Sequence, residues 1–64
     1  MEEHKKRVVK EKEELDIKIE ALSIFINTNK IFTTLEEDEQ EDLSDQLSAM
    51  KYYSRILQSR INRF

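Results

Sequence analysis

The chain of 64 residues contains no cysteine, no glycine, no proline and no tryptophan. Without cysteine there is no disulfide to staple a small fold and no thiolate to act as nucleophile or metal ligand. Without glycine and proline it lacks the residues that build tight hairpin turns and β-bulges, and it has no glycine-rich loop to cradle a phosphate. Its one histidine, His4, lies close to the start, so no histidine pair is spaced to hold a metal. No apolar run approaches the roughly 18 residues that would cross a bilayer, and the opening Met1 to Arg7 is not followed by the apolar stretch of a signal peptide. These absences lead to the expectation of a soluble intracellular protein that is not an enzyme and uses no cofactor and no metal.

What remains is rich in Glu, Lys, Leu and Ile, with 38% hydrophobic and 39% charged residues. Such a composition favours long helices, and the fold class expected is all-α. A chain this short buries little apolar surface by itself and has no staple, so self-association is expected to supply the missing burial.

Val8, Lys12, Leu15, Ile19, Leu22 and Ile26 are separated by alternating steps of four and three, the spacing that keeps side chains on one helical face. They predict a first helix over about 3–27. Leu43, Leu47, Met50, Ser54, Leu57, Ile61 and Phe64 repeat the device and predict a second helix over about 35–63. Thr34-Leu35-Glu36-Glu37 has the form of a capping box at its start. The connection, about 28–34, is placed where Asn27, Thr28 and Asn29 compete for backbone hydrogen bonds, and Ile31 and Phe32 are apolar enough to fold back over its end. So short a link joins antiparallel neighbours, giving one domain over 1–64, a two-helix antiparallel hairpin.

The two seams leave apolar residues over. Ile17 and Ile24 lie opposite the first seam, Phe25 flanks it, and Tyr53 and Ile56 form a shoulder beside the second. Burying an Ile contributes roughly 1.5–3 kcal/mol, so these five residues are expected to form the contacts of a symmetric helical homo-oligomer. The other reading takes Ile17 and Ile24 as solitary surface residues.

The net charge of −3 conceals a segregation. Seven of the ten residues from Glu36 to Asp45 are acidic, whereas Gln46 to Phe64 carries Lys51, Arg55, Arg60 and Arg63 and no acid. The helix dipole accounts for that order within the second helix. It does not account for Lys5-Lys6-Arg7 at the start of the first, which an antiparallel hairpin brings beside those arginines. An anion with several phosphates would relieve the gathered charge. Lys12 interrupts the first seam and must snorkel, meet a buried acceptor or face a phosphate in a cleft between subunits. A Tyr beside Lys51 and Arg55 is either interface filler or a platform for a base.

The pattern His4-x-x-Arg7-Val8-Val9-x-Glu11-Lys12-x-Glu14-Leu15-Asp16, then Leu22-x-x-Phe25-Ile26, Ile31-Phe32-x-x-Leu35, Leu43-x-x-Gln46-Leu47-x-x-Met50-x-x-Tyr53-Ser54-x-Ile56-Leu57 and Arg60-Ile61, resembles short helical proteins of tailed bacteriophages. Across almost the whole chain these are similar to the anti-CBASS sponges. That resemblance implies a helical homo-oligomer, a hexamer, which binds cyclic di- or trinucleotide messengers without cleaving them and so evades host immunity. It implies phosphate contacts at Lys12 and Lys51 and a location in the cytoplasm of the infected bacterial host; Arg7, from the basic start of the first helix, is a further ligand-binding candidate. The longer sponges add an N-terminal segment carrying a stacking aromatic, which is not seen ahead of Met1. A trinucleotide pocket near a symmetry axis would suffer less from that difference, with Lys51, Tyr53 and Arg55 as its candidate lining.

A different class of function is a small phage adaptor that docks its apolar faces on a host or virion protein. Binding of long nucleic acid is not expected, given the negative net charge. Neither is membrane association.

Overall fold

A computed structural model describes residues 2–64 and is helical throughout, with no strand among them. Helix α1 spans Glu3–Thr28, a short α2 spans Lys30–Thr34, and α3 spans Glu37–Asn62. Each long helix has 26 residues, about 39 Å at 1.5 Å per residue, and the molecule measures 46 × 15 × 14 Å. The two therefore lie side by side. The first half of α1 meets the second half of α3 and the residue that ends the chain, as in the pairs His4 with Phe64, Glu11 with Tyr53 and Asp16 with Ser54, so the two helices run antiparallel.

The alternating seams supply the hairpin's inner faces. Val8 and Leu57 are buried, and the other seam residues are half-buried except Phe64, which is exposed at the end of the chain. Phe64 is not idle, since its ring lies 5.9 Å from that of His4 with the Lys5 ammonium 5.6 Å from its centroid. With only two residues fully buried, this core is thin. The accessible surface is 5068 Å², against roughly 4,300 Å² for a folded monomer of this mass. Two helices alone cannot enclose the apolar surface they carry.

The turn departs from the sequence expectation in three ways. First, the connection is itself helical over Lys30–Thr34. Asn29 serves both neighbours: its backbone N–H donates to Phe25 O at the end of α1, and its Oδ1 accepts from Ile31 N at 2.8 Å at the start of α2. Thr28, by donating its hydroxyl to Ile24 O at 2.7 Å, helps end α1 there.

Second, the capping box does not form. Thr34 is the last residue of α2, and its hydroxyl bonds back to Ile31 O, so it is not available to α3. Glu36 takes the N-cap position of α3 without a side-chain bond, and Glu37, Asp38 and Glu39 complement the dipole in the first turn. The corner is held from within α3, where the Gln40 amide donates to both Phe32 O and Leu35 O at 3.0 Å.

Third, Phe32 folds back and Ile31 does not. The Phe32 ring meets Phe25 edge-on at 6.1 Å between centroids, whereas Ile31 is exposed. Part of Phe25, expected at a subunit contact, is thus used within the chain.

Candidate functional site

The two seams have polar residues facing each other at one level. Lys12 donates to Asp16 Oδ2 at 2.6 Å and Ser54 donates to Asp16 Oδ1 at 2.6 Å, so one carboxylate ties a turn of α1 to the middle of α3. The two donors hold the Asp16 carboxyl below the usual carboxylate range, Lys12 contributing most and Ser54 next. Lys12 has therefore met the acceptor its seam position demands. One of its three N–H donors is used there, and the side chain is half-buried.

Toward the open end of the hairpin, Tyr53 donates its hydroxyl to Glu11 across the helices. This bond, followed by partial burial and the charge of Glu11, raises the phenol above its ordinary value, while the Arg60 charge two turns further on opposes it. Arg7 stands one turn before Glu11 on α1. It is exposed and makes no ion pair. Arg7, Tyr53 and Arg60 thus belong to one flank of the open end.

Lys51 and Arg55 lie elsewhere. A step of two residues turns a helix by about 200°, which puts Lys51 and Arg55 on the far side of α3 from Tyr53. The aromatic that accompanies them is Tyr52, with the Arg55 guanidinium carbon 4.7 Å from its ring centroid. The set Lys51, Tyr53 and Arg55 therefore does not converge within one chain. The i, i+3 spacing of Tyr52 and Arg55 was the signal available in the sequence for the stack. The i, i+4 spacing of Lys12 and Asp16 was likewise legible, whereas the bonds of Asp16 to Ser54, of Glu11 to Tyr53 and of Gln40 to the corner carried no signal, because they are set by how the helices meet.

The cations of the open end are not held in close ion pairs. Of eleven Lys and Arg residues, Lys12 is the one with a carboxylate within 4 Å among the described residues. Ile17 and Ile24 project outward from α1 at 69% and 54% exposure, and Ile56 is half-buried on α3. The described residues enclose no pocket, bring together no group of three His, Asp or Glu side chains that could hold a metal ion, and include no helix long and apolar enough to cross a membrane.

Comparison with known proteins agrees on one family. A family model described as Sequestin matches residues 2–63. A protein of Enterobacteria phage T4, described as an uncharacterized 7.5 kDa protein in the denB-rIIB intergenic region, is 43% identical over 58 residues, covering 91% of this chain and 89% of the phage protein. No solved structure matches.

Proposed function

The chain belongs to the Sequestin family of short phage proteins, and from that premise we propose that it captures a phosphate-bearing nucleotide signal of the infected host and holds it intact. Cyclic di- and trinucleotides are the ligands we assign, in keeping with the resemblance to phage sponges. The observation that carries the reading is the open end of the hairpin, where Lys5, Arg7, Arg60 and Arg63 are gathered from both helices and none has a carboxylate within 4 Å. Grouping cations in this way costs free energy unless an anion completes the site, and phosphate oxygens accept strong charge-assisted bonds from Arg and Lys.

One hairpin is too thin to enclose such a ligand. In our reading the outward face of α1, led by Ile17 and Ile24, and the shoulder of Tyr53 and Ile56 on α3 pair with other copies, and the cleft between copies receives the ligand. Burying each Ile contributes roughly 1.5–3 kcal/mol, which favours closing the assembly. A hexamer repeats the cations around an axis and so suits a ligand that is itself cyclic. Lys12 then has a framing role through Asp16, and the phosphate contacts fall to Arg7, Lys51 and Arg55.

Isothermal titration of the full chain with cyclic di-AMP, cyclic di-GMP and cyclic tri-AMP tests the proposal. Saturable binding of at least one, with the nucleotide recovered unchanged, is the expected result. Absence of heat from all three at tens of micromolar, or recovery of a cleaved product, would overturn it. A monomer that ignores the nucleotides but binds one host or virion protein stoichiometrically would make it an adaptor.

A further inference from the structure

Tyr52 is among the most exposed large hydrophobic residues of the molecule, at 60%, and it sits on the face of α3 turned away from α1. Nothing in the hairpin core accounts for an aromatic there. Arg55 lies over its ring at 4.7 Å, one turn along the same helix. Lys51 is four residues before Arg55 and is exposed on the same side. From Gln46 to Phe64 the sequence has no acid at all, and neither Lys51 nor Arg55 has a carboxylate within 4 Å. The cations of this face therefore carry unneutralised charge beside an open ring.

We infer that Tyr52, Arg55 and Lys51 form a recognition shelf for a phosphorylated nucleoside, the Tyr52 ring and the Arg55 plane taking the base and Lys51 with the Arg55 edge taking the phosphate. Three properties of the arrangement carry this. A ring open to solvent offers a π-face to any base, and stacking tolerates every base because each has one. A guanidinium whose carbon already lies 4.7 Å from that ring's centroid is restrained in position, so less freedom is lost when it binds a phosphate with its donors. An ammonium one turn away adds a point charge without competing for the ring.

The shelf lies on the outer face of α3, apart from the flank of Arg7, Tyr53 and Arg60. Each hairpin thus offers a base platform on one side and a cluster of cations on the other. Where two copies meet, the shelf of one can stand opposite the open end of the next. That juxtaposition would hold a base and its phosphates at two points.

The inference rests on the sequestration reading and names the groups that recognise the base. Its test is the titration of the full chain with cyclic di-AMP, cyclic di-GMP and cyclic tri-AMP, repeated on Tyr52→Ala, Tyr52→Phe and Arg55→Lys variants, with sedimentation and circular dichroism on each. For whichever probe the unaltered chain binds, Tyr52→Ala is expected to lower affinity about tenfold or more. Arg55→Lys, which keeps the charge and loses the plane, should lower it several-fold. Tyr52→Phe, which keeps the ring, should stay within about twofold. Unchanged affinity in Tyr52→Ala overturns the shelf and leaves sequestration standing. A Tyr52→Ala chain that loses binding because its assembly falls apart overturns it too, making Tyr52 a subunit contact. If the unaltered chain binds none of the probes, sequestration fails and the shelf fails with it.

Discussion

Ser54 and Lys12 hold opposite oxygens of the Asp16 carboxylate, each at 2.6 Å, and through it lock one register between the two long helices. A seam position given to a polar residue weakens apolar packing but penalises every slipped pairing in which that residue finds no partner. Asp16→Ala should lower stability in urea unfolding by about 1 kcal/mol, a modest figure because the carboxylate is partly exposed and water screens it. Replacing Lys12 with Leu, Asp16 with Leu and Ser54 with Ala together should recover or exceed the original stability. If Asp16→Ala unfolds at the same midpoint, the carboxylate is not a tie.

The same carboxylate gives the hairpin an acid limit. Because Asp16 has a folded pKa below its ordinary value, its contribution is complete above the unfolded carboxylate value, near 4, and is lost as pH falls through the folded one. Thermal midpoints should therefore decline as pH drops below about 4, and decline less in Asp16→Asn. Equal slopes for the two proteins would contradict this.

Tyr53 sets the opposite limit. Its hydroxyl, held by Glu11, is raised above the ordinary phenol value, so the stabilisation it provides is present below about pH 10 and disappears as pH climbs through the folded pKa. A phenolate absorbance titration should show a component above that pH which Tyr53→Phe removes. Persistence of that component in the variant would assign it to another group.

At the turn, Asn29 caps α2 and Gln40 bonds two carbonyls of the corner. Asn29→Ala should cost about 1 kcal/mol, and Gln40→Ala a similar amount. Additive losses in the double variant would mean that the two act separately. A combined loss smaller than the sum would show that one corner is being undone twice.

The parts of this fold that were legible in advance are those governed by period. Val8, Leu15, Ile19 and Leu22 on one helix and Leu43, Leu47, Met50 and Leu57 on the other turn toward each other because helical spacing leaves no other face for them. The turn was harder to read, since Thr34 could serve either the helix before it or the one after. Only the carbonyl that its hydroxyl meets decides between them. Tyr53 posed the same difficulty and Tyr52 did not. Adjacent in sequence, they point to different sides: the i, i+3 spacing of Tyr52 and Arg55 already marked the ring that accompanies the cation, and only the partner of Tyr53 depended on how α3 meets α1.

Outward burial is open to a direct mutational check. Ile17→Glu combined with Ile24→Glu should keep the helical content of the hairpin while reducing the mass in sedimentation to that of a single chain, because charges would then face any neighbouring copy. An assembly of unchanged mass would move the contact elsewhere.

Native mass spectrometry of the full chain, alone and mixed with cyclic di-AMP, cyclic di-GMP and cyclic tri-AMP, bears on assembly and capture at once. The account predicts a defined oligomer that gains whole numbers of one intact nucleotide. A 7.7 kDa species that stays single and bare with all three would contradict it.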